Sequence, residues 1–179
     1  MQPAVLISQT RLQRKVQQMA LEINRDYACK TPVLVGVLKG AFVFMADLFR
    51  YLDIPVECEF VMVKSYGSKT QSSGQPRFIL KPPTNLAHQD ILLVDDIVDS
   101  GVTTSYLIKF LKAQRPHSLK MCALLDKPSR RKVNVKIDYC GFKVPNKFIV
   151  GYGLDYNEQY RSLPYIGYLS ETHLSTKVT

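Results

Sequence analysis

Near the start of the chain, Leu12, Val16, Met19, Ala20, Ile23 and Tyr27 recur at helical spacing. This stripe predicts an amphipathic helix over residues 11–28, with Thr10 as its N-cap. The pattern then changes. Residues 32–38 (PVLVGVL) form a short, unbroken apolar run rich in β-branched side chains, which suits a strand covered on both faces. Lys39 and Gly40 punctuate it, and residues 41–52 (AFVFMADLFRYL) read as a largely buried helix. A second strand is expected over 55–64. Residues 66–77 (YGSKTQSSGQPR) are too polar to pack and too long for a tight turn. Strands follow at 91–96, 119–125, 135–142 and 148–151. Between the first two, a helix over 103–113 brings Leu107, Phe110 and Leu111 to one face.

Strands alternating with helices imply an α/β fold: a doubly wound, mostly parallel sheet flanked by helices. The chain shows no internal repeat and no linker. Its 179 residues suit one well-buried core, so a single domain over 1–179 is expected.

Composition narrows the partners. Lys and Arg total 24 against 15 Asp and Glu, a net charge of +9, which favours an anionic partner. Nucleic acid and a small phosphorylated substrate both satisfy this. The basic residues are dispersed, apart from the cluster Arg130-Arg131-Lys132. No apolar run approaches the roughly 20 residues of a membrane span, and the first residues lack the pattern of a secretory leader. Cys29, Cys58, Cys122 and Cys140 are scattered, with no CxxC pair. They read as buried thiols in a reducing cytoplasm rather than as disulfides or zinc ligands.

The chemistry concentrates in residues 91–104, ILLVDDIVDSGVTT. An apolar strand runs into Asp95 and Asp96, then into Asp99 and a turn of small and hydroxylated residues. In open α/β sheets, ligands gather beyond the carboxyl ends of the strands. A helix starting after Ser100 and Gly101 offers free N–H groups and a positive dipole end to a phosphate, with hydroxyls from Thr103 and Thr104 nearby. Adjacent carboxylates suit a ribose diol or a magnesium ion, and Asp99 is placed to take a proton. Capping alone would explain any one of these residues. Three acids and three hydroxyls within ten positions are harder to explain that way. Neither GxGxxG nor GxxxxGK[ST] occurs, which argues against the two common nucleotide-binding loops.

This segment resembles the phosphoribosyl pyrophosphate signature of type I phosphoribosyltransferases. Residues 35–44 (VGVLKGAFVF), 65–67 (SYG), 124–131 (LLDKPSRR) and 148–167 (FIVGYGLDYNEQYRSLPYIG) narrow the resemblance to hypoxanthine-guanine phosphoribosyltransferases, especially the short bacterial forms. It covers residues 33 to about 170. It implies the type I fold with a small hood formed by the chain ends. The implied reaction transfers phosphoribosyl from phosphoribosyl pyrophosphate to a 6-oxopurine, as purine salvage in the cytoplasm, with Mg²⁺ and in a homodimer or homotetramer.

The resemblance also implies roles. Ser100, Gly101, Val102, Thr103 and Thr104 would hold the 5′-phosphate, Asp95 and Asp96 the ribose, and Asp99 would be the general base or acid at purine N7. Lys39, Gly40 and Arg161 would meet pyrophosphate. Ser65 and Tyr66 would begin a mobile lid over 65–76. Lys127 would donate to the purine 6-oxo group, Phe148 would stack on the base, and Ile149 and Asp155 would read its other edge. Asp155, with Asp95 and Asp96, would lie near magnesium. Two positions depart from the pattern. Many relatives carry Glu at position 95, so Asp95 reaches one methylene less far, and Val102 stands where some carry Lys. A different function on the same fold, an RNA-binding regulator of nucleotide genes, fits the charge but not the segments 124–131 and 148–167.

Overall fold

The structure is a computed structural model describing residues 2–65, 76–82 and 86–170. The chain begins with β1 (Ala4–Ile7) and turns at Ser8 into α1 (Gln9–Asp26). Ser8, in extended backbone, is the N-cap, and its Oγ accepts the Arg11 N–H at 3.4 Å. Thr10, expected in that role, already lies inside the helix, because β1 ends at Ile7 and releases the chain two residues earlier. The predicted stripe is the buried one: Leu12, Val16, Met19, Ala20 and Ile23 face inward, with Tyr27 beneath them.

Then come β2 (Val33–Leu38), α2 (Phe42–Arg50), β3 (Glu57–Ser65), β4 (Pro76–Leu80), β5 (Asp90–Val98), α3 (Val102–Ala113), β6 (Ser118–Asp126) and β7 (Tyr139–Lys143). The order across the sheet is β4-β3-β2-β5-β6-β7, parallel throughout except for β4, which runs antiparallel to β3. α1 and α2 cover one face, where Leu12, Val16, Phe44 and Leu48 pack on Leu34, Leu92, Val94 and Cys122. α3 covers the other, with Leu107 and Leu111 on Val35, Ile91, Leu93 and Met121. Coverage of both faces explains why β5 is an unbroken apolar run, since its alternate side chains enter different cores. Each such fully buried aliphatic side chain contributes about 1.5–3 kcal/mol.

A second, three-stranded antiparallel sheet joins β1, β9 (Ile166–Leu169) and β8 (Phe148–Val150). The two chain ends thus build the expected hood. From β2 the chain crosses to β3 on one side, while β5 leads to β6 on the other. The carboxyl ends of β2 and β5 therefore flank a topological switch point, where open α/β sheets bind ligands.

Three further expectations are corrected. α2 is not largely buried: Phe44, Met45 and Leu48 face the core, whereas Phe42 and Phe49 stand on its exposed side. The strand expected from residue 135 begins at Tyr139, because Val135 packs under α3 before the chain joins the sheet edge. Of the four thiols, only Cys122 is buried, and all four are free.

Candidate active site

The loop between β5 and α3 is shaped by Gly101, the N-cap of α3, whose φ of 79° is left-handed. A Cβ there would also lie 2.3 Å from the Val133 carbonyl oxygen, so glycine is required twice. The Ser100 carbonyl oxygen accepts N–H bonds from Lys132 and Val133 at 2.9 and 3.0 Å. Ser100 Oγ accepts the Val102 N–H at 3.4 Å. Val102 and Thr103 are half-buried, and Thr104 is buried. The backbone of the predicted phosphate cradle is thus pinned from behind by the segment following β6, with its N–H groups at the helix start.

Asp95 is buried, and its Oδ1 accepts the Asp96 N–H at 3.1 Å. Asp96 Oδ1 in turn accepts the Ile97 N–H at 2.9 Å. Burial pushes both carboxyls above their ordinary values, Asp95 furthest because it also faces the Asp96 charge. Asp96 is moderated by its hydrogen bonds from the Asp95 side chain and the Ile97 N–H, and by Arg161. It is therefore the readier of the two to carry charge toward a ligand.

Asp96 reaches the predicted pyrophosphate loop. The Leu38–Lys39 peptide is cis, and Gly40 lies so close that a Cβ there would sit 1.8 Å from Asp96 Oδ2. A cleft of about 450 Å³ opens here, with Lys39, Gly40, Asp96, Asp155, Glu158 and Arg161 in its lining. Arg161 donates to the Gly153 carbonyl oxygen at 2.8 Å and pairs with Asp155 Oδ1 at 2.8 Å. Asp155 Oδ2 accepts the Glu158 N–H at 2.9 Å. Glu158 Oε1 accepts from Lys39 Nζ at 3.1 Å, and Oε2 from Arg161 Nη2 at 3.1 Å. These cations hold the Glu158 carboxyl below its ordinary value, Lys39 first. Asn157, Glu158 and Tyr160 all have left-handed backbone, with φ of 51°, 60° and 74°. Such conformations in non-glycine residues concentrate at functional turns.

Beyond β6 lies the predicted base end. Lys127 is only 4% exposed and donates from Nζ to the Lys147 carbonyl oxygen at 2.7 Å. Burial lowers its basicity, and the nearby Asp99 charge opposes that shift. Phe148 is exposed with its ring edge-on to Tyr156, centroids 5.2 Å apart, whereas Ile149 is buried. Asp99 Oδ1 is buried without a hydrogen-bond partner, the Arg130 Nε standing 3.6 Å away. Of the predicted lid, Ser65 ends β3 and Pro76 starts β4, paired across the sheet edge. Tyr66 and the rest of the lid lie outside the described residues.

A family model, the phosphoribosyl transferase domain, matches residues 7–157. The hypoxanthine-guanine phosphoribosyltransferase of Bacillus subtilis is 48% identical over 165 residues, which is 92% of either chain. The chain belongs to the hypoxanthine-guanine phosphoribosyltransferases. Among solved structures, a Bacillus anthracis enzyme of this family aligns with a TM-score of 0.87 at 42% identity, covering 93% of this chain and 98% of the other. A Trypanosoma cruzi hypoxanthine phosphoribosyltransferase mutant, in a complex described as ternary with substrates, aligns at 0.88 and 37% identity. There the coverage is 96% and 97%. This family is one of enzymes, glycosyltransferases, and the RNA-binding alternative gains no support from these matches.

Three residues around the candidate site of this hypoxanthine-guanine phosphoribosyltransferase carry no individual role in the sequence reading. Arg130 and Arg131, read only as a basic cluster, both turn to the Asp99 loop. Arg131 Nε donates to the Asp99 carbonyl oxygen and Nη2 to that of Val98, each at 3.1 Å, and Arg131 also pairs with Asp126. Glu158 joins the two predicted pyrophosphate cations. Its position midway between Asp155 and Arg161, three residues from each, is the signal that could have marked it.

Proposed function

We propose that this chain works in purine salvage, transferring the 5-phosphoribosyl group from phosphoribosyl pyrophosphate to hypoxanthine or guanine. The products are IMP or GMP and pyrophosphate. One observation carries the reading. Around the β2/β5 switch point lie a helix-start cradle, the Asp96 and Asp99 carboxylates and the two cations Lys39 and Arg161.

In this reading the 5′-phosphate lies on the N–H groups of 100–104, and Asp96 accepts from a ribose hydroxyl, with Asp95 behind it. Cleavage of the C1–oxygen bond leaves positive charge on the sugar and negative charge on pyrophosphate. Lys39 and Arg161 neutralise the departing anion, while the carboxylates favour the electron-poor ribose. The Asp99 Oδ1, ion-paired with Arg130 but accepting no hydrogen bond, would take the proton from purine N7. Lys127 faces the 6-oxo group, Phe148 covers the base, and the backbone at Ile149 and Asp155 meets its other edge. Ser65 and Tyr66, at the start of the lid, would contact pyrophosphate and exclude water.

The donor set fits magnesium. Among the described residues no three acidic, histidine or cysteine side chains converge on one point. Mg²⁺ characteristically takes one or two carboxylates and completes its shell with water and substrate oxygens. Asp96 and Asp155, both lining the cleft, would hold it, with Asp95 supporting from below; the ion would add charge neutralisation at the pyrophosphate.

Self-association is supported by the exposed side of α2, where Phe42, Phe49, Cys58 and Phe60 line an apolar groove. A homodimer or homotetramer would cover it. Exposed free thiols at Cys29, Cys58 and Cys140 suit a reducing cytoplasm, and among the described residues no helix is long and apolar enough to cross a membrane. The test is a nucleobase panel with phosphoribosyl pyrophosphate and magnesium. Pyrophosphate release with hypoxanthine or guanine is expected. Release with neither would overturn the reading.

A further inference from the structure

Lys39 and Arg161 approach the cleft from different parts of the chain, one after β2 and the other after the 156–160 turn. The same carboxylate bonds both, Glu158 through Oε1 to Lys39 Nζ and through Oε2 to Arg161 Nη2, with Arg161 Nε at 3.3 Å. An anion seated between these cations competes with Glu158 for Lys39 Nζ and Arg161 Nη2, the latter also paired with Asp155 Oδ1 at 2.8 Å. Glu158 is also poised to leave. Its side chain is 66% exposed, so its head can swing into water with little loss of packing. Asp155 and Asp96, the other carboxylates lining the cleft, are each tied to a backbone N–H and are less free to retreat.

We propose that Glu158 sets the affinity of the cleft for pyrophosphate, by occupying Lys39 and Arg161 as an internal anion that the pyrophosphate group must displace. The proposal rests on the reading of this cleft as the pyrophosphate end. Two consequences follow. The Glu158 carboxylate keeps the two cations aimed at a common point. It also weakens anion binding, because both ion pairs must break and a negative charge stays nearby. A weakly held pyrophosphate leaves readily, which favours turnover in the synthetic direction.

The sign of the effect separates this role from simple support. Were Glu158 only a brace for Lys39 and Arg161, removing it would weaken pyrophosphate binding. As a competitor, its removal strengthens binding. Exposed ion pairs are individually weak, so breaking two predicts a gain of about fivefold.

The experiment is calorimetric titration of inorganic pyrophosphate, in magnesium buffer, into the full wild-type chain and into Glu158→Gln and Glu158→Ala. Both variants should bind about fivefold tighter, with the gain shrinking at high salt. Affinity for IMP, whose phosphate belongs at the 100–104 cradle, should stay unchanged, which guards against a general structural effect. Unaltered or weaker pyrophosphate binding in the variants, beside measurable wild-type binding, overturns the role of Glu158 alone. No pyrophosphate binding by any of the three proteins overturns the assignment of the cleft, and this proposal with it.

Discussion

Arg131 holds the backbone of Asp99 in place: its Nε donates to the Asp99 carbonyl oxygen at 3.1 Å across 32 positions of sequence. The same guanidinium reaches the Val98 carbonyl oxygen and the Asp126 carboxylate. One side chain therefore fastens the end of β5 to the end of β6, and fixes where the Asp99 carboxylate begins. Planar, multi-donor geometry is what arginine offers and lysine lacks.

Arg131→Met should cost about 3 kcal/mol of stability, since it leaves Asp126 charged and largely buried. Arg131→Lys should fold better but lose the fork. Its kcat should fall about tenfold while KM for phosphoribosyl pyrophosphate changes little. Asp99→Asn, which removes the proposed proton acceptor, should lose about 10²-fold or more. Denaturant titration beside steady-state kinetics checks all three, and wild-type kcat in Arg131→Lys would remove Arg131 from any positioning role.

Two glycines predict contrasting outcomes. A methyl group at Gly40 would meet the Asp96 carboxylate, a side chain rather than backbone. Gly40→Ala should therefore keep most of its stability and lose activity, because Asp96 is pushed off the ribose position. At Gly101 the obstacle is the Val133 backbone, and φ is left-handed. Gly101→Ala should cost about 2 kcal/mol or more in stability as well as raising KM for phosphoribosyl pyrophosphate. Equal stability losses in the two variants would contradict this division.

Away from the site, Asp26 at the end of α1 accepts from Tyr139 Oη at 2.7 Å and from Lys120 Nζ at 2.9 Å. The Lys120 bond first, then the Tyr139 bond, holds its carboxyl below the ordinary value. A carboxyl depressed in the folded state stabilises the fold above its unfolded pKa, about 3.9. That stability fades as pH falls through the lower, folded value. Asp26→Asn should lose about 1 kcal/mol at neutral pH. The gap to wild type should narrow below about pH 4. Urea denaturation at several pH values measures it, and a gap that stays constant into acid would show that the charge contributes nothing.

The residues that were legible in the sequence owe it to local pattern. The α1 stripe and the run into Asp95 and Asp96 each declare themselves within a few turns or one strand. β1, β4 and β9 did not: all are four or five residues long, and β1 and β9 pair with each other from opposite ends of the chain. Arg131 and Glu158 failed to stand out for the same reason. A charged side chain reads as solvated surface until folding brings up the carbonyls or cations it binds. Phe42 and Phe49 show the converse, since an apolar helix reads as buried even where one side remains exposed.

In the proposed reading, Lys127 sets the choice of base. An ammonium group carries three donors and no acceptor, and one of its donors is spent on the Lys147 carbonyl oxygen. The rest of the head group is nearly closed off from water. A purine 6-oxo group accepts from it; the 6-amino group of adenine does not, and would leave donors facing donors in a dry pocket. Sites built around such a bond reject the mismatched analogue by roughly 10⁴-fold. Hypoxanthine and guanine should turn over while adenine is nearly inert. Lys127→Ala should lose most activity on 6-oxopurines, chiefly through weaker base binding, while phosphoribosyl pyrophosphate binding is kept. Steady-state kinetics on the three bases, with wild type and variant, measures both effects. Adenine turnover comparable to hypoxanthine in the wild-type protein would show that Lys127 does not read position 6.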